Sequence, residues 1–153
     1  VVRKLGQGQY STVWLATDSL LRKYVALKIL RADRYGTAND VFKLEMLKKI
    51  SEPANRQLPE AGQVTRLLNV FKHSGPNGEH VCFVFDVLGH HIGYEARLYG
   101  QRRIPAKVMR EVIRQILLGL DFLHRQCGII QIDLKPSNIL IGLEIHTRVL
   151  LNT

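Results

Sequence analysis

The run Leu5-Gly6-Gln7-Gly8-Gln9-Tyr10-Ser11-Thr12-Val13-Trp14-Leu15-Ala16, followed by Val25-Ala26-Leu27-Lys28, constrains this chain more than any other feature. Two glycines one residue apart, then a β-branched and aromatic run, predict a hairpin. Its tight turn lets backbone N–H groups approach a phosphate chain. Lys28 ends an apolar Val-Ala-Leu strand and carries an ammonium able to reach the same phosphates. A Gly-x-Gly pair alone is an ordinary turn, and a hairpin that happens to end in lysine is the plain alternative. The two segments in this order carry the reading.

A second segment, Ile129-Ile130-Gln131-Ile132-Asp133-Leu134-Lys135-Pro136-Ser137-Asn138-Ile139-Leu140-Ile141, places three chemically distinct groups on one loop. Asp133 is a proton acceptor for a hydroxyl, Lys135 a cation for a transferred phosphate, and Asn138 an amide oxygen for a metal. Pro136 stiffens the loop, and Ile139-Leu140-Ile141 is expected to anchor it as a short buried strand. The plain alternative is an Asx-rich turn.

The pattern along the chain predicts an α+β lobe followed by helices. Strands are expected at about 1–7, 11–17, 23–30, 65–72 and 80–87, with turns at Asp18-Ser19 and Ser74-Gly75-Pro76-Asn77-Gly78. A polar loop from Asp33 to Asn39, with Gly36, leads to a helix over Asp40–Ile50. In that helix Val41, Leu44, Leu47 and Ile50 recur at helical spacing, and Asp40 is a candidate N-cap. Ser51 to Gly62, with Pro53, Asn55 and Pro59, is expected to be irregular. After Gly89 the pattern is helical: Val108, Val112, Ile113, Ile116, Leu117, Leu120 and Leu123 form one apolar stripe on a helix entered after Pro105 and closed by Gly128.

Composition narrows the function classes. The 153 residues suffice for one domain or two small lobes, and no apolar run approaches the ~20 residues that span a bilayer, so no membrane partner is expected. The net charge of +9 comes from 22 dispersed Lys and Arg without an aromatic-interleaved stripe, a solvated face in which nucleic-acid binding is not expected. Cys82 and Cys127 lack metal-ligand spacing and are expected to be free thiols, and His90-His91 reads as a polar loop pair. The chain opens on Val1, directly in a strand, and is read as a fragment.

The Gly6–Lys28 and Asp133–Asn138 segments together resemble the glycine-rich loop, third-strand lysine and catalytic loop of the eukaryotic protein kinases. Over about residues 1–144 the resemblance is closest to the SR-protein kinases, above all the fungal ones. It is carried by Tyr10–Ala16, by Phe71-Lys72-His73-Ser74-Gly75-Pro76-Asn77-Gly78-Glu79-His80, and by Val84-Phe85-Asp86-Val87-Leu88-Gly89-His90-His91. The resemblance implies a protein-kinase-like fold. Residues 1–88 would form a five-stranded antiparallel N-lobe with one helix, and 89–144 the first helices and catalytic loop of an incomplete helical C-lobe, leaving 145–153 as an unmatched tail. It implies transfer of the ATP γ-phosphate, with magnesium, to serine in Arg/Ser-rich splicing proteins, in the cytoplasm or nucleus. In this likeness Leu5, Gly6, Gly8, Val13, Ala26, Lys28, Asp86 and Leu88 bind ATP and Phe85 is the gatekeeper. Asp133, Lys135 and Lys28 are the catalytic residues, and Asn138 binds the metal.

Three departures keep a second reading open, a catalytically inactive pseudokinase or truncated ATP-binding module. The family pattern of Glu, apolar, any, apolar, Leu, with a further apolar residue three on, falls on Lys43-Leu44-Glu45-Met46-Leu47 and Ile50. That sets Lys43 where a glutamate pairs with the strand lysine, and Glu45 could take that place only if the helix rotates. Gln131 and Ile132 stand where the family carries histidine and arginine or threonine. No Asp-Phe-Gly follows Ile141, and the helix stripe near Ile116 and Leu120 would lack much of its packing partner.

Overall fold

A computed structural model describes residues 1–20, 22–32 and 38–143, with the side chains of 38–42 left aside. The chain divides into two compact units, Val1–Val87 and Leu88–Thr153. The first is built on five strands: β1 (Arg3–Gln7), β2 (Ser11–Asp18), β3 (Lys23–Leu30), β4 (Leu67–Gly75) and β5 (Gly78–Asp86). They form one sheet in the order β1-β2-β3-β5-β4, antiparallel at every pairing. All five coincide with the strands expected from the apolar, β-branched and aromatic runs between turn residues. The last two run further into their turn than expected, because Gly75 pairs with Gly78 and leaves only Pro76-Asn77 as the loop. Gly78 has φ +108°, a backbone conformation that favours glycine.

Each face of the sheet carries its own small core. Ala16, Val25 and Val84, with Leu27 and Leu68, form one. On the other face Leu67, Val81 and Phe83 pack with Leu30, Val70 and Phe85 and with Leu44 and Leu47 of helix α1 (Ala38–Ser51). That helix begins two residues before the expected Asp40, which therefore lies inside it and is not its N-cap residue. The loop expected over 33–37 and the 145–153 tail lie outside the described residues.

The segment Ser51 to Gly62 is more regular than its composition suggests. Helix α2 (Pro53–Arg56) and a 3-10 turn (Pro59–Gln63) each start on a proline, where the missing N–H would have no helical acceptor. The Arg56 guanidinium then donates to the carbonyls of Ala61 and Val64 and ties the two turns together around fully buried Ala61.

In the second unit Gly89–Ile92 lies antiparallel to Ile139–Ile141, with Gly89 N–H donating to the Ile141 carbonyl at 2.7 Å and Ile92 N–H to that of Ile139 at 2.9 Å. A Cβ on Gly89 would stand 3.0 Å from the Ile141 oxygen, which accounts for the glycine. Ile139-Leu140-Ile141 does not form the expected buried strand: it makes one bridge, His91 to Leu140, and Leu140 is exposed. Helix α3 (Ile92–Glu95) is N-capped by the His91 side chain, which accepts from Tyr94 N–H at 3.2 Å. Helix α4 (Ala106–Asp121) continues as a π turn over Phe122–Gln126 and stops at Gly128, whose φ of +63° lets Ile129 N–H fold back onto the Leu123 carbonyl. Phe122, Leu123 and Cys127 are buried there, while Ile113 and Leu117 of the expected stripe lie exposed on α4. Cys82 and Cys127 are both free and buried.

Replacing Gly78 by alanine forces a side chain into a left-handed backbone and should cost about 1–2 kcal/mol. Gly62→Ala, where a Cβ meets nothing within 4 Å, should change stability by less than ~0.5 kcal/mol. Urea unfolding of the two variants checks the contrast.

Candidate active site

Register fixes one part of the site in the first unit. Val13 stands opposite Lys28 and Lys28 opposite Phe83, while Leu15, Ala26 and Phe85 form the next row. Because side chains alternate along a strand, Val13, Ala26, Lys28 and Phe83 share one face, the face over which α1 lays Leu44 and Leu47. Gly6 is within β1 opposite Val13, and exposed Leu5 falls at a register shift between Lys4 and Gly6. A Cβ on Gly6 would meet nothing within 4 Å, so the fold itself does not require glycine there. Gly8 N–H donates to the Ser11 carbonyl at 2.8 Å, so this amide is already engaged within the loop. An open polar cleft of about 410 Å³ borders Gly8, lined also by Arg31, Asn77 and His80. It does not reach Val13, Ala26 or Lys28.

Lys28 has an unusual neighbour. Burial first, and then the positive charge of Lys43, push its ammonium below the ordinary value of 10.5. Of the two helix residues left open by the sequence, Lys43 is the one whose charge acts on Lys28. At 3.6 residues per turn Glu45 lies about 200° round the helix from Lys43, and it is solvent-exposed. No ion pair joins Lys28 to a carboxylate among the described residues, so its half-buried charge fits an anionic ligand. Asp86 ends β5 with its carboxylate held by Lys23 at 3.0 Å and Arg66 at 3.7 Å. Leu88 opens the second unit.

The second unit assembles Asp133, Lys135 and Asn138. Lys135 Nζ lies 2.9 Å from the Asp133 carboxylate, and Asn138 Nδ2 donates to both Asp133 Oδ2 and the Asp133 carbonyl at 2.9 Å. A 3-10 turn over Pro136–Asn138 swings the amide back onto the aspartate. The hydrogen bond from Lys135, ahead of that from Asn138, holds the Asp133 carboxyl below its ordinary range. In the sequence Gln131 stands out only as a departure from the family pattern. The structure assigns it a role: its Oε1 accepts from Asp133 N–H at 3.1 Å, an i to i+2 contact whose signal was the spacing itself.

This donor set does not complete a magnesium site. Asn138 keeps one amide oxygen, while the Asp133 carboxylate is already engaged by Lys135 and Asn138. No three His, Cys, Asp or Glu side chains converge among the described residues.

Comparison with known proteins places the chain in a family. A family model described as the protein kinase domain matches residues 1–150. The chain is 42% identical over 144 residues to protein kinase dsk1 of Schizosaccharomyces pombe, covering 94% of this chain and 26% of that protein. It is 41% identical to serine/threonine-protein kinase SKY1 of Saccharomyces cerevisiae, over 92% of this chain and 19% of that one. Human SRSF protein kinase 3 is 39% identical, with 92% of this chain and 25% of that protein covered. The chain thus spans about a quarter or less of the length of these relatives. A crystal structure of a kinase domain superposes with TM-score 0.77 at 25% identity, covering 93% of this chain and 39% of that one.

Two titrations follow. Lys135→Ala should raise the Asp133 carboxyl pKa towards its ordinary value, and by more than Asn138→Ala does, as read from carboxyl shifts in NMR. For Lys28 the folded state holds its proton less tightly than the unfolded chain, which binds more protons between the depressed pKa and 10.5. Stability from this group therefore rises with pH across that window, and Lys28→Met should flatten the rise in a pH series of urea midpoints.

Proposed function

We propose, for a chain that belongs to the protein kinase domain family, that its first unit is an N-lobe that binds ATP. Its second unit, the start of a C-lobe, would present Asp133 to a serine or threonine hydroxyl. Protein kinases as a family use ATP with magnesium. In this reading Leu5, Val13 and Ala26 pack on the nucleotide, Gly6 and Gly8 cover its phosphates, and Asp86 and Leu88 offer it backbone groups. Lys28 holds its phosphates. The substrate hydroxyl gives its proton to the Asp133 carboxylate as its oxygen bonds to the γ-phosphorus and the bond to the ADP oxygen breaks. Lys135 balances charge on the transferred group. Asn138 would offer one amide oxygen towards magnesium, which would neutralise phosphate charge when bound. Arg/Ser-rich proteins are the substrate class we extend to this chain, since one relative is an SRSF protein kinase. Cytoplasm and nucleus are the compartments that follow from the same likeness.

The observation that carries the reading is the Asp133 cluster, in which base, cation and amide meet at 2.9 Å on one short loop. The depressed carboxyl keeps Asp133 ionised at neutral pH, as a proton acceptor requires. A second reading, nucleotide binding without transfer, is favoured by Lys43 beside Lys28, where a like charge replaces the orienting carboxylate.

Phosphate incorporation from labelled ATP into an Arg/Ser peptide separates the two. Transfer should fall by about 100-fold or more in Asp133→Asn and rise by about tenfold in Lys43→Glu. An ATP-dependent rise in melting temperature with no transfer in either the parent chain or Lys43→Glu would establish the binding-only reading. ATP at 100 times its Kd adds about 2.7 kcal/mol.

A further inference from the structure

We infer that His73 and His80 form a two-imidazole site for a divalent transition metal, the class represented by zinc, at the end of the β4–β5 hairpin. The inference does not depend on the nucleotide reading, since neither residue belongs to it. It starts from register. His73 stands directly opposite His80 in the antiparallel ladder, so both side chains leave the same face of the sheet. Directly opposed residues have Cβ atoms about 4.5–5.5 Å apart, and two imidazoles at that spacing can close on one ion through bonds of about 2.0–2.1 Å. The short turn holds the register, because Gly75 pairs with Gly78 and only Pro76-Asn77 lie between them.

One of the two rings is already oriented. His80 Nδ1 donates to the Leu30 carbonyl at 2.8 Å, which puts the proton on Nδ1 and leaves the Nε2 lone pair for a ligand. A ring N–H anchored on a backbone carbonyl is the usual support behind a metal-binding histidine. The opposite edge of the ring points the right way. Its Cδ2 and Nε2 lie 3.6 and 3.9 Å from where a Gly75 Cβ would stand, and Gly75 is two residues from His73 on the same face of β4. Nε2 is therefore turned towards the strand that carries His73, across a position where glycine leaves room. The neighbouring charges are directed elsewhere, since Lys72 and Glu79 pair at 2.8 Å on the other face of the hairpin. His73 is exposed, and half-buried His80 borders the open cleft beside Gly8, so water reaches the ion and fills its remaining positions. Imidazole donors suit zinc, nickel and copper, whereas magnesium and calcium prefer oxygen.

Calorimetric titration of the whole chain with zinc chloride, together with nitrogen NMR of the imidazoles, tests the site. The parent chain should bind zinc with a Kd below about 100 μM. The His80 Nε2 resonance should move far more than Nδ1, because the Leu30 carbonyl holds the Nδ1 proton. His73→Ala, at an exposed position, should weaken zinc binding by about tenfold or more. His80→Asn, whose amide can still donate to the Leu30 carbonyl, should do the same. Zinc at 100 times the parent Kd should raise the parent melting temperature by several degrees, and that of either variant by about half as much or less. The site is overturned if the parent chain binds zinc more weakly than about 100 μM. It is equally overturned if either variant, shown by circular dichroism to be folded, keeps the parent affinity, or if Nδ1 is the His80 nitrogen that moves. Loss of binding in His90→Ala, with both hairpin variants unaffected, would put the metal on the second unit and overturn the hairpin site as well.

Discussion

Strand β3 is paired along both edges, and that double register decides what the first unit can offer a ligand. Eight residue pairs tie it to β2 and five tie it to β5. A slip of one residue in either ladder would send Lys28 and Ala26 to the opposite face, because side chains alternate strictly. The hydrophobic rows forbid the slip: Val25 and Leu27 belong to one core and Phe83 and Phe85 to the other. The position of one ammonium is therefore guaranteed by the burial of neighbours that have no chemistry of their own.

The second unit solves a different problem, that of holding a loop whose side chains are largely exposed. It does so with short-range polar contacts and one backbone seam. Gln131, Lys135 and Asn138 all close on Asp133, and each bond spans no more than five residues. The seam between Gly89–Ile92 and Ile139–Ile141 then fixes the end of the loop against the start of the unit. His91 serves this seam twice, as its bridge partner and as the cap of α3. A pair of histidines that suggests polar loop chemistry in the sequence is in part a structural fastening.

The five strands could be read in advance because apolar, β-branched and aromatic runs bounded by turn residues leave a direct trace in residue order, and the Asp133 cluster because its contacts are local. The helical stripe of α4 was legible only as a stripe. Which of its residues are covered depends on what packs there, and Ile113 and Leu117 proved exposed while Phe122 and Leu123 are buried. The proline-rich stretch after Ser51 misled because prolines at first helical positions look, in sequence, like helix breakers.

The partner of Lys28 marks the boundary most clearly. Residue order alone determined that a lysine ends the third strand, that a helix follows, and that this helix carries both Lys43 and Glu45. The family pattern pointed to Lys43, with Glu45 facing Lys28 only on a rotated helix. That rotation is set when Leu44 and Leu47 pack on the cluster of Leu67, Val81 and Phe83, residues twenty or more positions away. Local periodicity names the elements because each residue's face is fixed by its own backbone, whereas the charge environment of a site is set by contacts between elements distant in sequence.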